Sequence, residues 1–266
     1  MNAGIKSFIR KMIGLIYFQD NYVNLLRKKT IILRYNENKY ILSVPNRLCR
    51  FRAKSFATKE PETLAWIDTF PQGSILWDIG ANVGLYSIYA AKARNCTVFS
   101  YEPSVFNLEV LARNVYLNQL GSLITIMPFA VNDAMGRGDL SMSTDTWGGA
   151  LSTFDKTYGV DGKEFEAVFK YPIFSISLDD AVNRLNLDFP DYIKIDVDGI
   201  EQLILAGGSE VLKYVKGVLI ELPNLWQEQT DICEEILLKS GMIKIHNSVW
   251  HPTVNPQGSP NQIWVR

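Results

Sequence analysis

The stretch Asp78-Ile79-Gly80-Ala81-Asn82-Val83-Gly84 decides the fold. It follows an apolar run, Ser74 to Ile79, that reads as a buried strand, and it opens a stretch of helical character, Val83 to Lys92. Gly80 and Gly84 allow the backbone to turn tightly and to approach a ligand without a Cβ in the way. A helix that starts there presents unpaired N–H groups and a partial positive charge. Such a turn suits a pyrophosphate or an amino-acid carboxylate; a turn of purely structural purpose is the plain alternative.

Working outward, strand and helix alternate. Thr97 to Tyr101 reads as a strand, Val105 to Leu117 as a helix started by Ser104, and Leu123 to Met127 as a third strand. Tyr192 to Val197 is a further buried strand, followed by a helix around Gln202 to Tyr214. Gly217 to Leu222 is another strand, Gln227 to Lys239 a helix, and Met242 to His246 with Gln262 to Arg266 a terminal hairpin. Repeated strand–helix units with buried strands imply a Rossmann-like, doubly wound, mostly parallel α/β sheet, here of seven strands. Asp133 to Tyr171 interrupts the rhythm as a Gly- and Ser-rich insertion containing Trp147-Gly148-Gly149, expected to form a lid or acceptor wall. Residues 1–70 read as an extension: an amphipathic helix, a hairpin (Ile31 to Tyr35, Tyr40 to Val44) and a short helix from Pro61. Residues 71–266 read as the main domain.

Three carboxylate-bearing positions sit where the strands of such a sheet end, which is where open α/β sheets bind ligands. A dinucleotide site asks for GxGxxG, whereas the spacing here is GxxxG with Asp78 beside it. A carboxylate is unwelcome next to a pyrophosphate and favourable next to an ammonium, such as that of S-adenosylmethionine. Glu102, in Tyr101-Glu102-Pro103-Ser104, stands at the next strand end and can accept both hydroxyls of an adenosine ribose. Asp196, Asp198 and Glu201 follow the strand Tyr192 to Val197 and could position a substrate, act as a base or hold a divalent cation. Helix capping and loop structure are the alternative for Asp198 and Glu201.

The 266 residues carry a net charge of −1, with 47% apolar and 21% charged residues, which suits a globular protein and gives no basic face for nucleic acid. Cys49, Cys96 and Cys233 form neither a disulfide framework nor a CxxC pair, as expected of free thiols in a reducing, cytoplasmic setting. His246 and His251 are the only histidines and give no His-rich zinc pattern. Ile5, Phe8, Ile9, Met12, Ile13 and Ile16 recur at helical spacing beside Lys6, Arg10 and Lys11. The apolar face they form must be covered by the body, by a second subunit in a homodimer, or by the inner face of a membrane through residues 1–20.

The segments DIGANVGLYSIYAAK, YEPSVFNLEVLARNVYLN, FAVNDAMGRGDL, SISLDDAV and YIKIDVDGIEQLILAGG resemble, in order, the FkbM-type family of class I S-adenosylmethionine-dependent methyltransferases. They span Asp78 to about Gly208; Asp198 stands where the family more often has Glu, which shortens the carboxylate's reach. The resemblance implies O-methylation of a hydroxyl on a sugar, glycan or polyketide-derived acceptor. By position it implies that Asp78, Gly80, Asn82 and Gly84 surround the methionine part of the donor and that Glu102, with Pro103 beside it, takes the ribose. Phe129 and Ala130 should lie by the adenine and Asp196 near the transferred methyl. Asp196, with its pKa raised in a closed site, is the expected base and His251 its competitor. Trp147 is expected to stack on an acceptor ring, with Asp198 and Glu201 on the acceptor side. An NAD(P)-dependent oxidoreductase and a catalytically inactive binding module are the competing readings; the glycine spacing disfavours the first and the set Asp78, Gly80, Glu102 the second.

Overall fold

The computed structural model describes residues 11–12, 21, 24–25, 28–159, 161–222, 226–247 and 261–266. The expected N-terminal helix, apart from isolated positions, and His251 lie outside the described residues.

The extension begins with a hairpin of β1 (Thr30–Tyr35) and β2 (Asn38–Ser43). Its two turn residues, Asn36 and Glu37, both have left-handed φ (44° and 64°), as a two-residue turn of this hand requires. Helix α1 (Arg47–Lys54), absent from the sequence expectations, follows, capped by the Asn46 side chain accepting from the Cys49 N–H. Helix α2 (Pro61–Asp68) starts on its proline.

The main sheet then alternates with helices: β3 (Ile75–Ile79), α3 (Leu85–Arg94), β4 (Thr97–Tyr101), α4 (Val105–Leu117) and β5 (Ile124–Met127). The expected unpatterned insertion is instead a second sheet. Strands β6 (Ala130–Val131), β7 (Gly136–Met142), β8 (Ser152–Phe154) and β9 (Phe169–Ile176) pair in the order β6-β9-β7-β8. Gly136, Gly138 and Pro172 interrupt the apolar alternation of β7 and β9, so no period of two stood out. After α5 (Leu178–Leu185) and β10 (Tyr192–Ile195), the single helix expected over Gln202 to Tyr214 is α6 (Glu201–Ala206) and a separate 3-10 turn, Val211–Lys213. A Cβ on Gly207 would lie 2.5 Å from the Asn132 carbonyl oxygen, so between the two the chain passes close against the segment that follows β6. Strand β11 (Gly217–Glu221), helix α7 (Gln227–Lys239) and strands β12 (Ile243–Asn247) and β13 (Asn261–Val265) complete the chain.

The seven-stranded order is β12-β13-β11-β10-β3-β4-β5, with β13 antiparallel between β11 and β12. Successive strand residues serve opposite faces. Trp77, Phe99, Ile220 and Trp264 pack with α5, α6 and α7, whereas Leu76, Val98, Leu219 and Ile263 pack with α2, α3, α4 and the hairpin residues Tyr40 and Leu42. The extension therefore shares a core with the sheet. Parallel register sets Ile79 beside Tyr101 and Ile195, and Ile195 beside Ile220, so Gly80, Glu102, Asp196 and Glu221 emerge at one edge.

Candidate active site

At that edge the turn after β3 is built for close approach. Gly80 has φ +81°, and a Cβ there would sit 1.9 Å from the Asp196 carbonyl oxygen. The N–H groups of Gly80 and Ala81 both donate to the Tyr101 carbonyl, at 3.0 and 2.9 Å. Asn82 holds φ +50° and donates its N–H to Glu102 Oε2 at 2.8 Å. Gly84 lies apart from the cleft: a Cβ there would meet Leu111 Cδ1 at 2.3 Å, so its glycine serves the packing of α3 on α4 rather than a ligand. Asp78 is also not at the ligand surface. It is buried beneath the turn, accepts from the Ser87 hydroxyl and pairs in register with Lys194. Burial raises its carboxyl pKa, against the opposing pull of Lys194.

Glu102 is buried and accepts from the N–H groups of Asn82 and Ser104, both at 2.8 Å. Burial nevertheless pushes its pKa up to about 7. It borders a cleft with Gly80, Asn82, Pro103, Asn107, Asp196 and Asp198. An adjoining apolar pocket is lined by Pro103, Phe129, Ala130, Leu140, Phe154 and Ile200. An apolar slot, a buried carboxylate beside it and a glycine turn next to an acidic strand end match, in that order, an adenine, a ribose diol and an amino-acid tail. Asn82 Oδ1 is buried and without a partner among the described residues.

Beyond Gly80 lies a charged cluster. Lys194 is fully buried on β10, its Nζ 2.6 Å from Asp196 Oδ2 and over the Tyr86 ring. Burial alone would raise the Asp196 pKa, but Lys194, a hydrogen bond with Glu221 and the nearby Lys59 together hold it well below the usual carboxylate range. The raised pKa expected for Asp196 is thus reversed by a cation that its own strand supplies. Burial, reinforced by Asp196, raises the Glu221 pKa well above the ordinary value, so Glu221 is the proton-holding member of the pair. Lys59 pairs with Glu60 at 2.7 Å. Asp198 borders the cleft, accepts from the Ser152 N–H at 3.1 Å and is pushed up to about 6 by burial and by Asp196.

Glu201 is turned away. Its carboxylate accepts from the Gly199 N–H and, at 2.6 Å, from Gln229 Nε2, and burial pushes its pKa up to about 8. It fastens α6 to α7. Among the described residues no group of three metal-ligating side chains converges; Asp196 and Asp198 share the cleft, and Glu201 stands apart from it.

Trp147 is likewise not a stacking surface on the cleft. Its ring packs against Cys49, Val83 and Val110, and its Nε1 donates to Glu109 at 3.1 Å. Of this segment Gly149 borders the cleft, and the backbone of Trp147-Gly148-Gly149 acts as a clasp. The Trp147 carbonyl accepts from Asn46 Nδ2 (2.8 Å), that of Gly148 from Arg52 Nε (2.6 Å), and that of Gly149 from Asn82 Nδ2 (2.6 Å) and Asn107 Nδ2 (3.1 Å). Each of the three carbonyls is thus tied by a side-chain donor from outside the segment.

Sequence reasoning missed Arg52, Lys59, Asn107, Lys194 and Glu221. Two had a signal: Lys194 is an ion inside an apolar strand, and Glu221 is a carboxylate at a buried strand's end, as Asp196 nearly is. Arg52 and Lys59 had none, because only the tertiary fold brings α1 to the sheet edge.

The chain is similar to several known proteins. The hexuronic acid methyltransferase AglP of Haloferax volcanii is 24% identical over 151 residues, 57% of this chain and 56% of that protein. The methyltransferase sdnD of Sordaria araneosa is 24% identical over 177 residues, 58% of this chain and 68% of that one. The chain thus spans little more than half the length of AglP. Among solved structures, TYW2 of M. jannaschii in complex with AdoMet aligns with TM-score 0.47 and 12% identity, covering 89% of this chain and 84% of that one. The Methyltransferase FkbM domain matches residues 78–240, which hold the glycine turn, Glu102, the insertion, Asp196 and Glu221. The chain belongs to the FkbM methyltransferase family.

Proposed function

We propose that this methyltransferase, whose methyl donor is S-adenosylmethionine, transfers the methyl to an oxygen of a small-molecule or glycan acceptor, a sugar hydroxyl foremost. The observation that carries the proposal is that Asp196, ion-paired with Lys194, and Glu221 line the same cleft as Gly80 and Glu102. When bound, S-adenosylmethionine supplies an electrophilic methyl on a sulfonium leaving group, so no acid is needed on the donor side. A hydroxyl acceptor must be aligned and must lose its proton. Asp196, kept ionised by Lys194, accepts the hydroxyl's hydrogen bond and orients its oxygen. Glu221, with the higher proton affinity, is the stronger base of the pair once it is ionised. A sugar acceptor is supported by AglP, whose name states a hexuronic acid substrate.

A second reading is favoured by the low proton affinity of Asp196: the accepting oxygen is that of a carboxylate, which needs no base. One experiment separates the two. The protein is incubated with S-adenosylmethionine and a panel of neutral sugars, hexuronic acids and glycans, S-adenosylhomocysteine release is followed, and the product is treated with alkali. An alkali-stable methyl ether supports the hydroxyl reading, and an alkali-labile ester supports the carboxylate reading. A product methylated on nitrogen or carbon would overturn both.

A further inference from the structure

We infer that Arg52, in the extension that precedes the family-matched residues, binds the α-carboxylate of the methyl donor's methionine tail. Arg52 lies in the last turns of α1 and borders the cleft together with Gly80, Asn82 and Asp196. Its Nε is fixed on the Gly148 carbonyl at 2.6 Å, which sets the plane of the guanidinium while using one of its five N–H donors. The terminal nitrogens keep the fork that carboxylates bind best.

The charges of the cleft call for such a ligand. Among the described residues no carboxylate stands within ion-pair distance of Arg52, whereas Lys59, the other cation bordering the cleft, is paired with Glu60 at 2.7 Å. Arg52 is half-buried, and its charge acts on Asp198, which lines the same cleft, without forming an ion pair. Glu102, Asp196 and Asp198 line the rest of the cleft. A ligand with a diol, an ammonium and a carboxylate meets both halves of this layout, and the amino-acid tail of the donor carries the last two on one carbon. The start of α3, beside Asn82, adds a partial positive charge on the same side. A carboxylate could also arrive on an acidic acceptor. The donor is assigned because Arg52 shares its wall with the glycine turn, and the assignment rests on the donor's identity and not on the acceptor reading above.

The test is calorimetry on the full chain with two ligands: S-adenosylhomocysteine, and 5′-methylthioadenosine, which keeps the adenosine and the thioether but lacks the tail. Arg52→Met should weaken S-adenosylhomocysteine by roughly 10- to 100-fold and leave methylthioadenosine nearly unchanged. Arg52→Gln, which can still donate to the Gly148 carbonyl, should show the same selective loss and decides the matter if the Met variant does not fold. Equal weakening of both ligands by Arg52→Gln would mean that the residue only shapes the cleft, and would overturn the inference. Undiminished S-adenosylhomocysteine binding, with turnover lost only on acidic acceptors, would overturn it too and assign the guanidinium to the acceptor.

Discussion

The Lys194 ammonium and the Asp196 carboxylate meet at 2.6 Å although both arise from the end of one strand, two residues apart. Strand neighbours so spaced point the same way, and here that direction also holds Asp78, in register with Lys194 on β3. One buried cation thus serves two carboxylates. Lys194→Met, of similar volume, leaves both without it and should cost about 3–5 kcal/mol, read from urea unfolding. A loss below about 1 kcal/mol would show that the pair behaves like a solvated surface ion pair.

Glu102 holds its proton up to about pH 7, against an ordinary value of 4.5, because it is buried. Ribose hydroxyls donate to the ionised form, so ligand binding should lower that pKa and expel a proton near pH 6.5. Calorimetry of S-adenosylhomocysteine in buffers of different ionisation enthalpy should register the release. Glu102→Gln should abolish it and weaken binding by roughly 1–3 kcal/mol.

Gly80→Ala and Gly73→Ala form a matched pair. Both glycines have positive φ, +81° and +79°, but a Cβ on Gly73 meets nothing within 4 Å, whereas one on Gly80 would strike the Asp196 carbonyl. Gly73→Ala should lower stability by about 1–2 kcal/mol and leave ligand affinity intact. Gly80→Ala should separate β3 from β10 and remove S-adenosylhomocysteine binding. Retained micromolar affinity would show that the turn can yield.

Glu201 bears on pH stability. Its folded pKa is raised to about 8 from an ordinary 4.5, chiefly by burial. Between those values the folded chain binds more protons than the unfolded one. The stability Glu201 contributes is therefore complete below pH 4.5 and lost as pH rises through about 8. Glu201→Gln should flatten the decline in melting temperature between pH 5 and pH 8; an unchanged slope would refute the shift.

The parallel sheet was legible because buried strands carry their own signature, and the helices Val105–Leu117 and Gln227–Lys239 stand where their patterns put them. Glu102, Pro103, Phe129 and Ala130, placed by resemblance, gather around one cleft and its adjoining pocket. What the sequence concealed depends on where a side chain turns. Asp78, Gly84 and Glu201 occupy motif positions yet face inward, because Ser87, Leu111 and Gln229 await them on neighbouring helices. Trp147 is an aromatic in a polar loop, but it packs against Cys49 and Val110, and its carbonyl is taken by Asn46. Local spacing does not encode such long-range partners.

The clasp around Trp147-Gly148-Gly149 sets the unit in which this domain can be recombined. Its donors come from Asn46 and Arg52, from Asn82 and from Asn107, while the family-matched stretch begins only at residue 78. A chimera that exchanged residues 136–176 between relatives to alter acceptor choice would carry three carbonyls whose donors stayed behind in the host. A transplant that moves residues 46–52 together with that insertion, into a host with asparagine at the positions of Asn82 and Asn107, keeps the segment and its fastenings as one piece.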